Sequence, residues 1–173
     1  MARLPHEFDQ NEWFVLISML IVLGIFFLLR RVIPRKLALT ILVFFAALGL
    51  MVDVLIGMDY PADFYVIMDS NKLDLFDMLV YFVNYPVFGY FYSHIIYKWR
   101  MQLTRLLWFV PLWALLAVLI EALSVIFNVF SYKNGWGIGY SAIAYILIYA
   151  FSAAVIKLFI HIWTVQKEGD AHA

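Results

Sequence analysis

The sequence predicts an all-α protein: a polytopic membrane helix bundle of five transmembrane helices, N-terminus out and C-terminus cytoplasmic. Three observations carry this prediction. Apolar residues make up 66% of the chain and charged residues only 14%, against about 45–50% and 25% in a soluble domain. The apolar residues gather into five runs, each close to the roughly 20 residues that cross a bilayer as a helix. The runs are continuous and lack the alternation of barrel strands, and a helix satisfies its own backbone where no water is present.

The first span covers Trp13 to Leu29 and stops at Arg30-Arg31. A short basic loop, RRVIPRK, follows, with Pro34 as its helix breaker. The second span runs from Leu37 to Gly57 and leads into the acidic connection MDYPADFYVIMDSNKLD. The third, Leu75 to Tyr97, carries Pro86 and Gly89 in its middle. A proline there frees a carbonyl one turn earlier and predicts a kink. A second basic loop, KWRMQLTR, precedes the fourth span, Leu106 to Phe127. The loop SYKNGWGIG then leads to the fifth, Tyr140 to Trp163, and a short polar tail. Without internal repeats, low-complexity stretches or linkers, residues 1–173 read as a single membrane domain.

Orientation follows from lysine and arginine, which concentrate in cytoplasmic loops. Arg30, Arg31, Arg35, Lys36, Lys98, Arg100 and Arg105 lie on one side, and only Arg3, Lys72 and Lys133 on the other. The acidic residues show the reverse bias: Glu7, Asp9, Glu12, Asp53, Asp59, Asp63, Asp69, Asp74, Asp77 and Glu121 fall on the outer side, with Glu168 and Asp170 inside. Trp13, Tyr60, Tyr65, Tyr97, Trp99, Trp108, Trp136, Tyr140 and Trp163 lie near span ends, where interfacial aromatics belong.

Several function classes drop out. A net charge of zero gives no footprint for nucleic acid. The absence of cysteine excludes disulfides, thiolate catalysis and cysteine metal sites. The acidic start, MARLPHEFDQNEW, lacks a small-residue cleavage pattern, so no removed signal peptide is expected. His6, His94, His161 and His172 are scattered, with no HExxH. No cofactor is implied.

The residues that can carry chemistry are three acids in or at the margin of the spans, Asp53, Asp77 and Glu121. An ionisable group in a membrane is costly and faces the bundle interior. In the fourth span Ala114, Ala117, Glu121, Ser124 and Asn128 recur at spacings of 3, 4, 3 and 4, one small-and-polar helix face. In the second, Ala46, Gly49, Asp53 and Gly57 do the same, and small residues mark close helix contact. In the third, Asp77, Tyr81, Asn84 and Phe88 share a face, so a phenol and an amide stand ready to donate hydrogen bonds to carboxylates. By helical rise all three acids lie at a common depth, about 5–10 Å inside the outer boundary. If they hold a metal, oxygen ligands favour Mg²⁺ or Ca²⁺, but no short ligand motif is present. Alternatively the acids are structural glue, capped by Ser, Tyr or Asn. Asn134-Gly135, after Phe130 to Lys133, suits a type I′ turn and predicts a hairpin lid in which Tyr132, Lys133 and Trp136 cover the bundle mouth, with Lys133 as a partner for one of the acids.

The NEW start, the RRVIPRK loop, Asp53 followed by LIG, LDLFDMLVYFVNYPVFGY and EALSVIFNVFSYKNGW resemble a family of small multi-pass membrane proteins from spore-forming Firmicutes, bacilli and clostridia. The resemblance covers most of the chain and implies a plasma-membrane protein. A fainter likeness, a glutamate followed by a glycine-rich, tryptophan-bearing loop, is to small carotenoid-cyclase-type subunits. Their paired glutamates before a Phe-Phe run are missing here, so that activity is not carried over.

The sequence therefore points first to a non-enzymatic binding, sensing or accessory plasma-membrane protein with an outward-facing acidic cluster. Its partners are the lipid bilayer and, in an assembly, other membrane subunits or further copies of itself. Two alternatives use the same acids: a lipid- or isoprenoid-modifying enzyme with a buried carboxylate as general acid, and a component of proton- or cation-coupled transport. Because the chain has no cysteine, introduced ones are unique probes of orientation. Lys133→Cys is expected to react with a membrane-impermeant maleimide on intact cells, and Arg100→Cys only after permeabilisation; the reverse pattern would invert the topology.

Overall fold

The structure, a computed structural model, describes residues 8–57, 62–67 and 75–171. Arg3, His6, Glu7, Asp59, Tyr60, Asp69, Lys72, Asp74 and His172 lie outside the described residues.

Helix α1 spans Gln10–Leu28 and opens on a capping box. The Glu12 side chain accepts from the Asp9 backbone N–H at 2.8 Å, and the Asp9 carboxylate accepts from the Asn11 N–H at 2.9 Å. These bonds satisfy donors that a helix start leaves open. The helix therefore begins three residues before the apolar run, and Glu12 is fully buried as a cap rather than sitting in an outer loop. Helix α2, Arg35–Ile56, starts directly after Pro34. Strand β1 is Tyr65–Ile67.

The third apolar run is helical from 75 to 98, but in three pieces. Helix α3, Leu75–Leu79, passes into a π-helical turn, Val80–Asn84, and then into α4, Tyr85–Lys98. Pro86 stands in the first turn of α4. It has no N–H to donate and its ring crowds the carbonyl four residues earlier; the wider π turn accommodates both at the point where the sequence predicts a kink.

Helix α5, Leu103–Ile126, is followed by strand β2, Phe130–Tyr132, and α6, Ile138–Ala171. The expected polar tail continues α6 well past Trp163. Among the described residues four helices, α1, α2, α5 and α6, are long and apolar enough to cross a membrane. Their outward faces carry large hydrophobics such as Leu28, Leu39, Leu107 and Leu147, a surface suited to lipid and not to water.

Helix α5 packs along α6 and α2 along α4, while α1 lies against α3 and the π turn. The main core joins Ile41, Phe45, Tyr92, Phe109, Trp113 and Ile156. Within it the Tyr92 ring stacks on Phe109 at 5.2 Å, and its hydroxyl donates to the Tyr149 carbonyl at 2.8 Å. Ile33 and Met101, from the two basic loops, close this core at one end. At the other end Val15, Phe76, Val80 and Val129 form a second cluster beneath the strands.

The Asn134-Gly135 turn forms as the sequence predicts, with φ of +49° and +79° and the Trp136 N–H donating to the Lys133 carbonyl at 2.9 Å. The hairpin does not. Helix α6 begins three residues after Gly135, which leaves no length for a returning strand. Strand β2 pairs instead with β1 of the loop between α2 and α3, antiparallel, with Tyr65 opposite Tyr132, Val66 opposite Ser131 and Ile67 opposite Phe130.

A Cβ added at Gly89 would fall inside the Phe45 ring, whereas one at Gly24 meets nothing within 4 Å. Gly89→Val is expected to cost about 1–3 kcal/mol by overpacking. Gly24→Ala is expected to be neutral or to gain up to about 1 kcal/mol of helix propensity. Unfolding of both variants in detergent checks the contrast.

Candidate functional site

Asp53 and Glu121 sit on α2 and α5, each only 5–6% exposed. On α5, Ala114, Ala117 and Ser124 are buried with Glu121. On α2 the small residues make room for close contacts, among them one with α4. A Cβ at Gly49 would strike the Tyr85 ring and one at Gly57 the Tyr65 ring. Glycines one turn to either side of Asp53 thus make room for two tyrosines.

Each carboxylate receives a phenol from the two loops that carry the strands. Tyr65 donates to Asp53 Oδ1, and Tyr132 donates to Glu121 Oε1 at 2.5 Å. Tyr65 and Tyr132 are also the directly opposed pair of the β1–β2 sheet. Opposed residues project from one face with Cβ atoms about 4.5–5.5 Å apart, so the sheet presents two hydroxyls side by side to two acids. Glu121 Oε1 accepts a second bond from the Ser141 hydroxyl at 2.6 Å, and the Trp136 indole donates to that hydroxyl at 3.0 Å. The phenols of Tyr81 and Tyr85 stand close to Asp53, that of Tyr145 close to Glu121, and the two carboxylates lie within electrostatic reach of each other.

Below the acids lies a partly open, mostly apolar cavity of about 220 Å³, lined by Asp53 and Glu121 together with residues of α1, α2, α4, α5 and α6. Its lining descends from Asp53 to Phe45 along α2 and from Ser141 to Tyr149 along α6, eight positions each and therefore about 12 Å of helix. Val129, Phe130 and Trp136 stand at its outer end, where Trp136 stacks on Phe64 at 4.9 Å.

The other candidates fall elsewhere. Asp77 is buried but is not among the residues lining the cavity, and neither is Tyr81. The three acids do not form a metal site: among the described residues no group of three His, Cys, Asp or Glu side chains comes together. Asn84 lines the cavity, yet its amide donates to Ser18 Oγ of α1 at 3.0 Å rather than to a carboxylate. The Ser124 hydroxyl returns to the Ile120 carbonyl. Asn128 leaves the polar face of α5; it is exposed with φ of +57°, just past the helix end. Lys133 pairs with Asp63 at 3.5 Å and not with Asp53 or Glu121. Trp136 lines the cavity.

Four site residues escaped the sequence reading: Tyr65, Tyr85, Ser141 and Tyr145. For α6 a signal was present, since Ser141, Tyr145, Tyr149 and Ser152 recur at spacings of 4, 4 and 3, one polar stripe on an apolar helix. No protein-family model, curated protein or solved structure matches the chain.

Burial and the neighbouring carboxylate push the pKa of Tyr65 and of Tyr132 above the ordinary tyrosine value. The native state keeps these protons after the unfolded chain has lost its own, so their contribution is intact below about pH 10 and lost as pH rises beyond it. Tyr65→Phe and Tyr132→Phe are each expected to cost about 1.5–3 kcal/mol at neutral pH, the worth of a hydrogen bond to a charged group. Each should also flatten the alkaline fall in stability. Unfolding followed from pH 7 to 11 measures both effects.

Proposed function

We propose that this chain is a five-span plasma-membrane protein that binds a lipophilic molecule in the outer half of its bundle, holding the polar head at Asp53 and Glu121. It acts as a binding or sensing component rather than through covalent chemistry. The fifth crossing is the broken segment α3–π–α4. The observation that carries the reading is that one apolar cavity is headed by two buried carboxylates from different helices, each already positioned by a phenol from the overlying sheet.

Binding sites are concave and mostly apolar, with a few placed polar groups, and this site has that composition. Its volume is below the roughly 300–1,000 Å³ of pockets for drug-sized ligands. That size suits a single chain or ring and not a whole diacyl lipid. The grouping of Arg30, Arg31, Lys98 and Arg100 in the loops at the far end supports an outward-facing site.

Ala117 lines the cavity and is buried, so Ala117→Phe fills it. Mass spectrometry of an organic extract of the purified protein is expected to show an apolar-tailed compound in near-stoichiometric amount, and its loss in Ala117→Phe. An extract of the native protein holding only bulk membrane lipid, or an unchanged extract from the variant, would sink the proposal.

A further inference from the structure

We propose that the head group taken by this cavity is an organic cation, a lipophilic amine or quaternary ammonium, an inference that rests on the binding reading above. Three independent features of the site agree on the sign of the charge.

The first is the charge of the lining. It contains two carboxylates and, among the described residues, no lysine, arginine or histidine. The cation nearest in sequence to the lid residues, Lys133, is directed to Asp63. Buried charges of one sign are costly unless an opposite charge joins them, and a monocation entering the cavity supplies it.

The second is an unused acceptor. Asp53 is 5% exposed and lines the cavity, and its Oδ2 accepts no hydrogen bond of normal geometry among the described residues, although the Tyr81 and Tyr85 phenols stand near the carboxylate. Its other oxygen is taken by Tyr65. A buried polar atom without a partner is uncommon in a finished site, and a ligand N–H or the positive surface of an ammonium completes it.

The third is the wall around the acids. Tyr65, Tyr85, Phe130, Trp136 and Tyr145 line the acidic end, with Tyr65 and Phe130 edge to face at 5.6 Å. Aromatic faces attract cations within about 6 Å, and combined rings and carboxylates are a recurring way to hold quaternary ammonium. The faces of the same rings, negative at their centres, disfavour an anionic head.

The test uses the full chain in phosphatidylcholine nanodiscs and three probes with one tail: decyltrimethylammonium, decanol and decanoate. Thermal unfolding is followed against probe concentration, with partitioning corrected on empty discs. The cation is expected to raise Tm most, decanol less and decanoate not at all. In Glu121→Gln and Asp53→Asn the affinity for the cation should fall about tenfold, equivalent to about 1.4 kcal/mol, while that for decanol stays unchanged. Tyr132→Phe keeps the ring but withdraws one donor from Glu121, so it should bind the cation more tightly despite its lower stability. Equal stabilisation by decanol and the cation, or stabilisation by decanoate, would overturn the charge inference and leave the cavity reading standing. Silence from all three probes in the native protein would overturn both.

Discussion

The end of the bundle that carries the two strands is arranged around the need to bury two carboxylates at once. An ionised group taken out of water costs several kcal/mol unless hydrogen bonds and partners replace its hydration. Helices α2 and α5 cannot provide those bonds themselves, because their own N–H and C=O groups are used in the helix. The donors must arrive from elsewhere. They come from the loops, as Tyr65 and Tyr132, and from the start of α6, as Ser141 backed by Trp136. The small residues follow from the same need, since Gly49 and Gly57 give the tyrosine rings their seats beside Asp53.

This requirement also explains the short sheet. The α2–α3 loop and the α5–α6 loop belong to different parts of the bundle, the first to the α2–α4 pair and the second to the α5–α6 pair. Pairing β1 with β2 ties the two pairs together at the end where the acids lie. Further bonds extend the tie: the Lys133 N–H donates to the Phe64 carbonyl at 2.7 Å, and the Asn134 amide to the Asp63 carbonyl at 2.7 Å. Register is fixed as well, because a slip of one residue would turn both tyrosines to the opposite face. Below the sheet the two pairs meet again in the main core, where Tyr92 of α4 stacks on Phe109 of α5 and donates to the Tyr149 carbonyl of α6. Lipid tails are as apolar as the side chains, so helices in a membrane gain little from closing an apolar gap. The cavity lies where these parts of the bundle meet.

What the sequence made legible was the local part. Apolar runs, loop charges and the spacing of residues around Asp53 and Glu121 are all short-range patterns, and a helix repeats every 3.6 residues whatever lies beside it. The helix bounds moved only where a cap or a polar helical extension outran the apolar run, as at Glu12 and beyond Trp163. The tertiary part was not legible. An aromatic at a span end has the same local pattern whether it meets lipid headgroups or turns inward, so Tyr65 read as an anchor. The pairing of residue 65 with residue 132 leaves no periodic trace in either loop, and the Asn-Gly signal favoured a local partner. The π turn shifted the phase of the third span, so the face shared by Asp77, Tyr81 and Asn84 in an ideal α-helix does not meet Asp53 and Glu121 as a unit.

The choice of tyrosine as partner has a further consequence. A lysine or arginine beside a buried carboxylate would satisfy it and cancel its charge together. A phenol at neutral pH is a donor without charge, so it orients the carboxylate and leaves the negative charge in place. In this structure the one basic side chain of the lid segment pairs with Asp63 at the outer surface, and neutral hydroxyls face both Asp53 and Glu121. The two acids are thus held in position by neutral donors. A salt bridge built into the same space would have much of its attraction offset by desolvation, whereas neutral donors leave both acids open to a partner that enters the cavity and leaves again.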